Sequence, residues 1–153
     1  MSNQREDSDA MADALAALFG LAPQQRIAIA RHGIPASSVG QLATRMGMSK
    51  EYLINSLRLS RATINRKERE GTLLAPDESE RVLGIASLID TVYAMVAQSG
   101  NPAGFDAPRW VCAWLAQPLP ALGGASPASY MDTFEGQKLV GELLSMSQSG
   151  AYA

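Results

Sequence analysis

An all-α fold is predicted by three observations on this 153-residue chain. Apolar residues recur at helical spacing, Ser or Pro opens successive segments and Gly closes them, and no stretch alternates apolar and polar residues as a strand does. The predicted arrangement is an N-terminal region of short helices joined by one long helix to a small helical C-terminal domain. Hydrophobic residues make up 46% of the chain, enough for a sizeable core.

The elements follow in order. Residues 1–10 are polar and acidic and are expected to form a flexible tail, unlike a signal peptide. Ala10–Phe19 reads as a helix stopped by Gly20. Pro23 suits the first turn of a helix to His32, closed by Gly33 and Pro35. Ser37 or Ser38 caps a third helix carrying Val39, Leu42, Ala43 and Met46, and Gly47 ends it. Ser49 caps Lys50–Leu57, and Ser60 caps Arg61–Glu70 before Gly71. Pro76-Asp77-Glu78 opens a long helix to about Gln98, its acids in the first turn where the helix dipole favours them. The Gly/Pro-containing stretch 98–104 is the candidate boundary between residues 11–98 and 105–153. Beyond it, Ala107–Ala116 holds Trp110 and Trp114 one turn apart, both expected to be core anchors. A short helix over Pro127–Thr133 and a last one from Gly136 or Gln137 to Met146 complete the chain, with Ser126 and Thr133 as candidate caps. Gly123 and Gly124 permit a turn with positive φ.

The residue inventory leaves little for catalysis. His32 is the sole histidine and Cys112 the sole cysteine, so neither a cysteine-based zinc site nor a disulfide is available. Ser60 and Ser126 lack a nucleophile-elbow context, and Gly123-Gly124 lacks the Lys of a phosphate loop. The expectation is a non-enzymatic cytoplasmic protein with no cofactor, no metal and no membrane span.

Charge is unevenly spread. Residues 41–75 carry seven Lys/Arg and three acids, +4, whereas residues 76–153 carry three bases and eight acids, −5. A basic block in an acidic chain fits a local nucleic-acid contact, and it also fits a solvated helix face. Two capped helices around a tight turn at Arg58–Ser60 are what a helix-turn-helix requires. With Ile64 placed inward at about 100° per residue, Arg66 points away from the core, and Ala62, Asn65 and Arg69 share its outer face. Arg forks onto guanine, Asn pairs with adenine and Ala meets a thymine methyl. Lys50, Ser60, Arg61, Thr63 and Lys67 are candidate phosphate contacts. The alternative is a set of solvated residues in which Glu70 pairs with Arg66 at i+4.

From about Gly33 to Ala153 the chain resembles the antitoxins of the MbcA/ParS/Xre group, partners of RES-domain toxins that destroy NAD. The resemblance rests on Met48–Leu53, on Leu59-Ser60-Arg61-Ala62-Thr63-Ile64-Asn65-Arg66-Lys67 and on Leu74–Arg81. More specific are Trp114-Leu115-Ala116-Gln117-Pro118, Leu122–Pro127 and Thr133-Phe134-Glu135-Gly136 before an amphipathic helix. Leu119 stands where the family pattern has Asn. The resemblance implies an Xre-type helix-turn-helix that represses its own operon by binding operator DNA, and a C-terminal toxin-binding domain. It also implies that Gly150, Ala151, Tyr152 and Ala153 enter the toxin's active site and block it. On residue chemistry alone those four are as well read as a frayed chain end. A homodimer is expected, since two-fold symmetry lets two recognition helices meet successive major-groove turns. Two other readings stand beside the antitoxin: a transcription factor whose C-terminal half only dimerises, and a scaffold that has lost DNA binding.

Overall fold

The computed structural model describes residues 14–149, and every element named among them is helical. Residues 14–16 form a helical turn that ends at Gly20 in the left-handed region, φ 69°; Ala10–Asp13 of the helix expected there lie outside the described residues. Then come α1 (Pro23–His32), α2 (Ser38–Met46), α3 (Lys50–Ser56), α4 (Arg61–Glu70), α5 (Pro76–Gln98), α6 (Ala107–Leu115) and α7 (Phe134–Ser149). Two 3-10 turns, Pro120–Leu122 and Pro127–Tyr130, lie between α6 and α7.

Helix α5 is the spine. Its Val82, Leu83, Ile85, Ala86, Leu88, Ile89 and Val92 are buried, and α1, α6 and α7 pack along it. The 23 residues span about 35 Å at 1.5 Å rise per residue, enough to reach both regions of the chain. One buried cluster runs from Leu18 through Leu42, Leu53, Ile64 and Ile89 to Val111 and Leu144, so the N-terminal helices and the C-terminal ones share a core.

The loops on either side of the helix-turn-helix are stitched together. Pro35 and Leu73 form an isolated antiparallel bridge, with Leu74 N–H donating to Ile34 C=O at 2.8 Å and Ala36 N–H to Thr72 C=O at 3.1 Å. The Ser79 hydroxyl accepts from Ile34 N–H at 3.0 Å beneath them, leaving this buried donor paired. Gly33 belongs here because its φ is 98° and a Cβ would press on the Leu74 carbonyl.

Several expectations change in the C-terminal region. Trp114 is buried, but Trp110 is not a core anchor: it is partly exposed and stacks on Trp114 with centroids 6.2 Å apart and planes 11° from parallel. Ser126 makes no side-chain cap; its carbonyl accepts from Ser129, and Pro127–Tyr130 is a single 3-10 turn rather than a helix reaching Thr133. The last helix begins at Phe134, two residues before the glycine, because Thr133 Oγ1 accepts from Gly136 N–H at 3.0 Å and caps it. Leu119 is buried, so where the family pattern places Asn this chain adds a core side chain. Its backbone still closes the turn, accepting from Gly124 N–H at 2.9 Å and donating to Ala125 C=O at 3.0 Å, with Gly123 and Gly124 both at positive φ.

Candidate nucleic-acid and toxin interfaces

The helix-turn-helix is built from its caps outward. Ser49 Oγ accepts from Tyr52 N–H at 3.0 Å and Ser60 Oγ from Thr63 N–H at 3.2 Å, so both helices start where their serines stand. Leu53, Ile54 and Leu57 are buried on one side of the turn and Ile64 on the other, which fixes the face that α4 turns to the core.

Opposite Ile64, Arg66, Ala62 and Arg69 are exposed, and Ser60 and Arg61 are exposed at the entrance to the helix. Thr63 and Asn65 are partly covered. The outer face is held by ion pairs within the protein. Arg66 lies 3.6 Å from Glu70 one turn on, and Arg61 lies 2.6 Å from Glu51 on α3. Both pairs are solvent-exposed and of the kind worth less than about 1 kcal/mol, so DNA phosphates or bases can replace them. The Lys50 ammonium donates to Asn65 Oδ1 at 2.9 Å and contacts Glu68. This contact brings a predicted phosphate residue and a predicted base-reading residue together across the turn.

Lys67 sits differently. Its Nζ is 2.7 Å from Glu78 Oε1, and both side chains are largely buried, at 18% and 12% exposure. Glu78 also accepts from Ala75 N–H at 2.8 Å, capping α5 from its third position. Lys67 therefore ties α4 to the spine, and sequence reasoning missed this pairing. The signal was present as a Glu at the third position of a proline-led helix.

The C-terminal domain is joined to the helix-turn-helix near Asp106, the N-cap of α6. Asp106 Oδ1 accepts from Arg109 N–H at 3.2 Å and from Arg45 of α2 at 3.4 Å. Burial pushes the nearby Cys112 thiol up, an effect that Arg109 partly offsets. Among the described residues, eight large hydrophobic side chains are exposed, and Trp110, Phe134, Leu139 and Met146 of these lie in this domain. Phe134 is 65% exposed at the first residue of α7. The other four, Ile27, Tyr52, Leu73 and Tyr93, lie in the N-terminal region and α5. Gly150, Ala151, Tyr152 and Ala153 lie outside the described residues.

No helix among the described residues is long and apolar enough to cross a membrane. Comparison with known proteins assigns a domain to each half of the chain. Residues 25–87 match the antitoxin Xre-like helix-turn-helix domain, and residues 103–150 match the antitoxin Xre/MbcA/ParS C-terminal toxin-binding domain. Over 137 residues the chain is 41% identical to the Prs ADP-ribosylating antitoxin of Sphingobium sp. (strain YBL2), covering 90% of this chain and 86% of that protein. With both domains matched in order and a relative aligned along nearly its whole length, the chain belongs to the Xre/MbcA/ParS family of antitoxins.

Proposed function

We propose that this antitoxin neutralises a RES-type, NAD-consuming toxin by direct binding and represses its own operon through the helix-turn-helix. The observation that carries the reading is the pairing, in one core, of a helix-turn-helix domain at 25–87 with a toxin-binding domain at 103–150. The relative's name speaks of ADP-ribosylation, which breaks the same nicotinamide–ribose bond as NAD hydrolysis, and this supports a toxin that uses NAD. The protein itself acts without catalysis, in the cytoplasm, as a homodimer. Arg66, Arg69, Asn65 and Ala62 of α4 read bases, while Ser60, Arg61 and Thr63 at its start and Lys50 of α3 meet phosphates, and Lys67 braces α4 against Glu78.

Neutralisation divides between body and tail. The exposed Trp110, Phe134 and Leu139 supply contact area, and Gly150–Ala153 block the active site with Tyr152 as the anchor. Tyrosine combines a large contact surface with a polar tip at low entropic cost. The test is co-expression of the toxin encoded beside this gene with a chain lacking residues 149–153. The shortened chain is expected to co-purify with the toxin while cellular NAD falls and growth stops. Full protection by the shortened chain would show that the tail does not inhibit.

A further inference from the structure

One contact runs from the C-terminal domain to the turn between α3 and α4, and a second reaches α5 beside it. Asp132 Oδ2 lies 3.2 Å from Arg58 Nε, with Asp132 mostly covered and Arg58 80% exposed. Arg58 holds φ 49° and, among the described residues, is the non-glycine residue with positive φ. A side chain is held in that region at a cost, so a surrounding constraint must keep it there. Arg81 of α5 supplies part of that constraint. Its NH1 donates to Leu57 C=O at 2.9 Å and to Arg58 C=O at 3.1 Å, carbonyls that the end of α3 leaves without helical partners. Asp77 fixes the guanidinium from the other side, with Oδ2 2.9 Å from NH2.

Arg81 is held in turn by the C-terminal domain. Its own carbonyl accepts from Gln137 Nε2 at 3.0 Å, and the same amide donates to Met131 C=O at 3.0 Å. Gly84 makes room for this, since a Cβ there would collide with the Gln137 amide. Residues 131–137, within the toxin-binding match, thus reach the turn that launches α4 directly through Asp132 and through Arg81, whose carbonyl faces Gln137 and whose guanidinium faces the turn.

We propose that Asp132 and Gln137 are positioning residues for operator recognition. Asp132 holds the turn at Leu57–Ser60 through Arg58, Gln137 fixes the stretch of α5 from which Arg81 reaches that turn, and together they set the direction in which α4 leaves it. The proposal rests on the DNA-binding reading above.

The test uses the full chain, its own upstream duplex and a scrambled duplex, with affinities read by fluorescence anisotropy. Asp132→Ala and Gln137→Met are each expected to weaken operator binding about 2- to 30-fold, the range of measured site-to-site coupling. Scrambled-duplex affinity, its salt dependence and the melting temperature stay near wild type, whereas amide exchange at Leu57–Ser60 quickens. Asp132→Glu restores most of the operator preference. A purely structural role would instead lower the melting temperature and weaken both duplexes together, and that result overturns the proposal. Equal operator preference in wild type and variants overturns it as well. A wild-type chain with no operator preference removes the DNA-binding reading itself, and the proposal with it.

Discussion

Asp90 illustrates how a single carboxylate is placed by the fold. It accepts from Gly20 N–H at 3.0 Å and so fastens the N-terminal segment to α5. Burial raises its pKa above the ordinary 3.8, while the Gly20 bond and Arg26 partly lower it. A raised carboxyl pKa means that the folded state favours the protonated form. Its contribution to stability is complete below the unfolded pKa and is lost as pH rises through the folded value. Asp90→Asn keeps an acceptor for Gly20 and removes the charge. The variant should therefore compare best with wild type at neutral pH and lose that advantage below the ordinary carboxylate range. Thermal melts of both proteins across that interval check the sign, and an unchanging difference would show that Asp90 feels no net burial.

At the scale of the element, α4 separates two kinds of basic residue. Arg66 and Arg69 stand on the face opposite Ile64, and the pair that Arg66 makes with Glu70 is exposed. Arg66→Ala with Arg69→Ala should leave the melting temperature nearly unchanged and cost ~1–3 kcal/mol of sequence-specific DNA affinity for each base that the two arginines read. Lys50→Ala should instead weaken binding to all sequences alike and flatten its salt dependence. Mobility shifts at two salt concentrations distinguish the effects, and wild-type operator binding by the double variant would remove α4 from the readout. Lys67 belongs to neither group, because Glu78 engages its ammonium on the buried side of the helix.

The whole molecule places one recognition helix on each chain, joined through a shared core to a domain that takes a protein partner. One short helix that reads a few bases gives little affinity, and a two-fold axis adds the binding free energy of a second while matching successive turns of the major groove. The free protein is therefore expected to sediment as a homodimer. Monomer alone at roughly tens of micromolar, above common weak-dimer affinities, would overturn this expectation.

The helices were legible in the sequence because their signals are local. Ser49, Ser60 and Thr133 accept backbone N–H groups within three residues, and Gly47, Gly71 and Gly123 take left-handed φ where the chain must turn. The outward face of α4 was legible for the same reason, since one buried Ile64 fixes the helix's rotation. Spacing also gave the Arg66–Glu70 pair, whereas tertiary structure alone decided which charges meet from different elements. Lys67 with Glu78, Arg58 with Asp132, and Arg81 with the Leu57 carbonyl join residues 11, 74 and 24 positions apart. It also decided that Trp110 faces outward while Trp114 is buried, a choice that helical spacing leaves open within one apolar stripe. Caps and periodicity depend on neighbours in the chain, whereas ion pairs and burial depend on how α5 brings distant segments into one core.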